Sequence, residues 1–225
     1  MSDRIRVALV DDQSLFRAGI RMLVGSQPDL EFVGEAGDGA AAVRAALEWR
    51  ADVVLMDIRM PVLDGIAATK QILSDADRRN TAPPRIIVLT TFDLDESVGR
   101  AITAGASGFL LKDAEPEFLL AAIRTVHSGS AVIAASATRQ LLERFASAPA
   151  TTESLVEPDE FGTLTARERE IFLHASRGLS NSEIAAAEFL SEATVKTHIS
   201  RILTKLSLRD RVQLVVFAFE HGLAG

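Results

Sequence analysis

The stretch VVLMDIRMPVLDG, Val53 to Gly65, decides how the first half of this chain folds. Val53 to Met56 is apolar without alternation, the pattern of a strand covered on both faces, as in a parallel sheet. The run stops at Asp57, and Ile58, Arg59, Met60 and Pro61 follow. A carboxylate there is either an ordinary polar strand end or the centre of a site. The rest of the chain decides between the two.

Four more short apolar runs flank it: Ile5 to Val10, Glu31 to Gly34, Arg85 to Thr90 and Gly108 to Leu111. Helix-like segments separate them. Leu15, Gly19, Met22 and Leu23 recur at helical spacing, and Ala41 to Trp49 is Ala-rich. Glu115 to Ser128 aligns Phe118, Leu119, Ala122, Ile123 and Val126 in one stripe before Gly129 stops it. Strand alternating with helix five times predicts an α/β, doubly wound, five-stranded parallel sheet with helices on both faces. A short helix is expected from Ala137 to Phe145, and Ser147 to Gly162, rich in Pro, Ser, Thr and acids, reads as a linker. Residues 163–225 hold helical segments without a strand signal and predict a small all-α domain. The expected boundaries are 1–128, 129–162 and 163–225.

Composition narrows the function classes. The chain has 225 residues and no cysteine, which removes disulfides, thiolate metal sites and cysteine nucleophiles. No apolar run approaches the ~20 residues that span a bilayer, and Met1 to Arg6 lacks a signal-peptide layout, so a cytoplasmic protein with no membrane partner is expected. The net charge of −7 is uneven: residues 1–127 carry −5, residues 128–162 carry −3, and residues 163–225 carry +1. Charge alone therefore does not mark the second domain as a nucleic-acid binder.

Ligands of parallel α/β sheets bind at the carboxyl ends of the strands. Asp11 and Asp12 follow the first run and Asp57 the third, so neighbouring strands bring three carboxylates together. A hard divalent cation such as Mg²⁺ would offset their repulsion. Thr90 and Lys112 end two further strands, adding a hydroxyl and an ammonium that can hold a phosphoryl group.

VDDQ at 10–13, DIRMPVLDG at 57–65, VLTTFD at 88–93 and GFLLKD at 108–113 resemble the receiver domain of bacterial two-component response regulators over residues 4–128. The resemblance implies that Asp57 takes a phosphoryl group from the phosphohistidine of a sensor histidine kinase. It also implies Mg²⁺ held by Asp12, Asp57 and the Arg59 backbone carbonyl, with Asp11 acting through water, and Thr90 and Lys112 on the phosphoryl oxygens. In the implied switch Thr90 moves inward and Phe109, three residues before the lysine, swings into the vacated space. The chain has no tyrosine, so packing alone would register the change; a permanently buried Phe109 is the alternative.

In the second half, Thr165 with Glu168 forms a capping box, Gly178 stops a helix, and Ser191 with Thr194 or Glu192 starts another. Asn181 to Phe189, a short turn, and Glu192 to Leu206 read as helix, turn, helix. Val195, Ile199, Ile202, Leu203 and Leu206 fall on the inner side of the second helix. Lys196, Thr197, Ser200, Arg201 and Thr204 fall on the outer side, which suits a major groove or, more blandly, solvent. LTARERE, SNSEIA and SEATVKTHISRILTKL resemble the helix-turn-helix domain of LuxR/NarL/FixJ-type regulators over 163–225. That implies a recognition helix, Glu192 to Leu206, with Lys196, Thr197 and Ser200 nearest the bases. Arg201, Lys205 and Ser191 lie nearer the backbone, with Thr194 beside them, and His198 is expected at the groove edge. In the last helix Val212, Val215, Val216 and Phe219 are expected inward, leaving Leu214, Phe217 and His221 as a homodimer contact.

The reading is a DNA-binding transcription factor, not an enzyme, controlled by phosphorylation. Its expected partners are a sensor histidine kinase, double-stranded DNA, a second copy on activation and RNA polymerase. The alternative is a receiver governed by partner or ligand binding without phosphate. A metal-dependent phosphatase would want a second acid where Arg59 stands.

Overall fold

The computed structural model describes residues 4–91, 97–129, 132–133 and 158–223. The chain divides into two compact units, 1–143 and 144–225. The expected helix at 137–145 lies outside the described residues.

The first unit is built on β1 (Ile5–Val10), β2 (Leu30–Ala36), β3 (Val53–Asp57), β4 (Arg85–Thr90) and β5 (Gly108–Leu111), all parallel. A two-residue β6 (Val132–Ile133) extends the edge beside β5, so the spatial order is β2-β1-β3-β4-β5-β6. The sheet therefore gains a short strand from the segment read as linker. Helices α1 (Ser14–Gly25), α2 (Gly39–Trp49), α3 (Gly65–Arg78), α4 (Ser97–Thr103) and α5 (Pro116–His127) follow β1 to β5 in turn. Strand order reverses between β1 and β3, which places a crevice at their carboxyl ends.

One face of the sheet, with Val7, Leu9, Leu55, Leu89 and Leu110, packs on Ile20 and Val24 of α1 and on Leu119, Ile123 and Val126 of α5. The stripe expected on α1 is corrected: Leu15 and Met22 are 85% and 77% exposed, and the buried face is Ile20 and Val24, with Phe16 and Leu23 packed beside them. The apolar arc of this helix, from Met22 and Leu15 round to Val24, is wider than the face the sheet covers, so the two residues at its edge stay in solvent. Phe118, expected in the α5 stripe, is 49% exposed; Leu120 takes its place in the core. β2 carries a bulge opposite Val7/Ala8, and the Trp49 ring lies on Gly34, where an added Cβ would come within 2.1 Å of it.

The second unit comprises α6 (Asp159–Gly162), α7 (Ala166–Ser176), α8 (Asn181–Ala187), α9 (Glu192–Lys205) and α10 (Arg211–Glu220). The linker reading fails at its end, because Phe161 of α6 is buried and stacks edge-on against Phe172, with ring centroids 5.0 Å apart. The expected capping box of Thr165 with Glu168 is complete, and a second one, Ser180 with Glu183, starts α8. Arg211 ties the start of α10 to α8, donating to Asn181 Oδ1 at 2.9 Å and to the Leu179 carbonyl.

The dimer surface read on the last helix is also corrected. Leu214 is fully buried and Ala218 lies beside it in the core, while the Phe217 ring packs edge-on against Phe172 at 6.2 Å. His221 covers Phe217, with ring centroids 4.3 Å apart. Val212 and Val216 are buried as expected, but Val215 and Phe219 are only half-buried. α10 is apolar around most of its circumference, so the choice of inward face belongs to its neighbours rather than to its own spacing.

Candidate functional site

The expected acid site forms at the carboxyl edge of the sheet. β1 delivers Asp11 and Asp12, β3 delivers Asp57, and one carboxylate oxygen from each lies within 4.8 Å of the others. Asp11 and Asp57 are buried, while Asp12 is exposed. Lys112, just beyond β5, places Nζ 2.8 Å from Asp11 Oδ2 and 2.9 Å from Asp57 Oδ2. Burial pushes the Asp57 carboxyl above its ordinary pKa, although hydrogen bonding and attraction from Lys112 act against it. Burial also opposes the Lys112 charge, but the hydrogen bonds to Asp11 and Asp57 prevail and raise its pKa.

The loops around these groups are held by short-range bonds. Gln13 N–H donates to Asp11 Oδ1 at 2.9 Å, and Arg17 Nη1 donates to the Asp11 carbonyl at 2.7 Å. Lys112 Nζ also lies 5.3 Å from the centroid of the Phe16 ring. After Asp57 the chain turns back, with Gly65 N–H donating to the Ile58 carbonyl at 2.9 Å. A Cβ on Gly65 would stand 1.9 Å from the Asp57 carbonyl oxygen, so only glycine permits this turn. Sequence spacing does not single out Arg17, whose guanidinium holds the Asp11 backbone, or Gly65, whose missing side chain makes room for the turn.

Thr90 is buried beside the acids, its hydroxyl donating to the Thr91 carbonyl at 2.9 Å. Phe109 is 1% exposed, opposite Val88 of β4. In this structure β5 points the Phe109 ring into the interior.

Three of the hard oxygen donors that suit Mg²⁺ are thus together, and the buried Asp11 Oδ2 faces the Lys112 ammonium at 2.8 Å. Such a cluster has the chemistry to accept a cation and a phosphoryl group side by side.

In the second unit, the inward residues of α9 are buried as expected, from Val195 to Leu206. Lys196, Thr197, Ser200, Arg201 and Thr204 are exposed along the other side. Ser191 caps α9, accepting from Thr194 N–H at 3.1 Å, and the two hydroxyls lie 2.8 Å apart. Thr197 and Thr204 hydroxyls turn back on the helix carbonyls of Ala193 and Ser200. His198 is half-buried, with its Nδ1 enclosed. Lys205 differs from the expected backbone-facing cation: its Nζ donates to Glu168 Oε2 at 2.7 Å and to the Thr163 carbonyl at 3.1 Å. Phe189, in the turn before α9, is 97% exposed at φ 54°, a left-handed conformation that Gly or Asn adopts more readily.

Residues 7–124 match the family model of the response regulator receiver domain, and residues 162–218 that of bacterial regulatory proteins of the luxR family. The chain belongs to the response regulators with a luxR-family DNA-binding domain. The regulator is 44% identical over 223 residues to the uncharacterized transcriptional regulatory protein YxjL of Bacillus subtilis (strain 168), covering 98% of each chain. It is 40% identical over 219 residues to the transcriptional regulatory protein LiaR of the same strain, covering 97% of its own length and 99% of LiaR. Among solved structures it resembles the response regulator ChrA of a heme-sensing two-component system, with a TM-score of 0.51, 34% identity, and 99% and 100% of the two chains covered. Receiver and DNA-binding module together make the regulator a transcriptional response regulator. Among the described residues no helix is long and apolar enough to cross a membrane.

Proposed function

We propose that phosphotransfer from a sensor histidine kinase to Asp57 controls self-association and operator binding by this regulator. The observation that carries the reading is Lys112 bridging Asp11 and Asp57 in a three-carboxylate cluster at the strand ends. An Asp57 carboxylate oxygen forms the new O–P bond as the N–P bond of the phosphohistidine breaks, and the imidazole keeps the electron pair. Asp11, Asp12, Asp57 and the Arg59 carbonyl would hold Mg²⁺, which when bound neutralises charge on the phosphoryl oxygens. Lys112 is placed to exchange its bond to Asp57 Oδ2 for one to a phosphoryl oxygen. Thr90 trades its bond to the Thr91 carbonyl for another, and this change starts the switch.

The kinase meets the rim of the same site in the cytoplasm, where Asp12 is exposed and α1 presents Leu15 and, two turns further on, Met22 to solvent. Double-stranded DNA is met by α9. Lys196, Thr197, Ser200 and Arg201 face the groove, and Ser191 and Thr194 at its N-terminus approach a phosphate. Lys205 stands outside this set because its ammonium fastens α9 to α7.

The test is intact mass after incubation with Mg²⁺ and phosphoramidate, comparing wild type with Asp57→Asn, followed by light scattering and operator affinity. One phosphoryl group gained by wild type alone, with self-association and tighter DNA binding, is the expected result. An unmodified wild-type chain that retains its fold discards the proposal in favour of control by a partner or ligand.

A further inference from the structure

At the pole of the receiver sheet opposite the acids, a cavity of about 620 Å³ opens between α2 and α3. Its size lies within the range of roughly 300–1,000 Å³ typical of small-molecule sites. α2 contributes Ala46 and Leu47 to its walls, and α3 contributes Ile72 and Ala76. The small side chains leave the space, and the α3–β4 loop keeps it. Thr81 closes α3 by donating its N–H to the Ala76 carbonyl at 3.0 Å and its hydroxyl to the same oxygen at 3.3 Å. Pro83 and Pro84, also in the lining, stiffen the rest of the connection.

The rim is polar and its charges are unequally engaged. Asp52 Oδ2 accepts from Arg6 N–H at 2.8 Å, and Asp75 is paired with Arg78, so both rim acids already have donors. Arg50 has no hydrogen-bond or ion-pair partner among the described residues. It stands at the C-terminal cap of α2 in a left-handed conformation, φ 45° and ψ 42°, where helices commonly use glycine. Its guanidinium is exposed at the edge of the cavity, where an external ligand can reach it. Arg85 and His127 add cationic and imidazole groups to the same lining.

We propose that this cavity is a ligand site for a small carboxylate with an apolar body, the body between α2 and α3 and the carboxylate on Arg50. A planar carboxylate fits the guanidinium fork, and the apolar walls reward a hydrocarbon tail. The site lies away from Asp57, so occupancy does not compete with phosphotransfer.

Isothermal titration calorimetry reads binding in the full-length chain, because the Trp49 ring packs on Gly34 and does not line the cavity. Titration with octanoate and with 1-naphthoate is expected to give a saturable heat of binding for at least one of them. The matching alcohol, 1-octanol or 1-naphthol, should bind about tenfold more weakly. Arg50→Gln should reduce the acid to the level of its alcohol. Ala76→Leu should remove the response to both, and Asp57→Asn should change neither. Arg50→Gly relieves the backbone strain, so a Tm at or above wild type together with lost carboxylate preference shows that binding, not folding, was affected. The site is disproved by no saturable response to either acid, by equal affinity for acid and alcohol, or by a response that survives both Arg50→Gln and Ala76→Leu.

Discussion

At Asp57 burial and the Lys112 ammonium act in opposite directions, and burial wins. An acid whose pKa is raised by folding supports stability only while protonated in both states. That support disappears as pH rises through the folded pKa, so near neutral pH the ionised Asp57 costs stability. Asp57→Asn is therefore expected to raise Tm by about 2–4 °C in metal-free buffer near neutral pH, and to remove any further increment on adding Mg²⁺. Melts of both chains with and without Mg²⁺ check this; a lower Tm for Asp57→Asn without metal contradicts the electrostatic account. Gly65 acts on the same residue through space alone. Because an added Cβ would meet the Asp57 carbonyl oxygen at 1.9 Å, Gly65→Ala must displace backbone. It is expected to slow phosphorylation by phosphoramidate by about tenfold or more while the chain remains folded, measured as the rate of mass gain.

At the scale of elements, the regulator fastens helices by their ends. Glu168 lies in the first turn of α7 and Lys205 in the last turn of α9, each where its charge suits the helix dipole. Burial favours the neutral Glu168 carboxyl, but the Lys205 hydrogen bond and those from Thr165 outweigh it and bring its pKa from 4.5 to about 2. A depressed acid stabilises the fold above its unfolded pKa, and the contribution is lost as pH falls through the folded value. The helical unit of wild type should therefore lose more stability than Glu168→Gln as pH falls from about 4.5 to about 2. Thermal melts across that range separate the two; parallel curves would show that the pair contributes nothing. The capping motif was legible from Thr165 and Glu168 three apart. Lys205 was not, since it lies 37 residues from Glu168 and only the packing of α9 on α7 brings it there.

Across the whole molecule, two separate cores sustain two functions. The receiver core gathers around β1, β3 and β4, whereas Phe172, Ile171, Ile202 and Leu214 anchor the helical unit. Leu214→Ala removes a fully buried side chain from the second core and is expected to cost that unit about 2–5 kcal/mol. It should lower the helical unit's melting transition and its DNA affinity, leaving phosphorylation at Asp57 at the wild-type rate. Differential scanning calorimetry with a phosphorylation assay reads both; an unchanged helical transition would return Leu214 to the surface.

The sequence by itself determined the five main strands, their order of appearance and the polar residues that end them, but not the two-residue β6. A strand buried on both faces must be apolar throughout, and its first polar residue then marks the edge where ligands bind. It determined the caps at Thr165 and Ser191 as well, because a cap is a bond between residues three apart. Only the tertiary structure decided which sides of α1 and α10 face inward, because both helices are apolar around much of their circumference and the sheet or the neighbouring helices choose. The same holds for Phe109, Lys205, Phe161 and the space beneath Arg50. Each depends on what distant segments place opposite it, and local spacing carries no record of that.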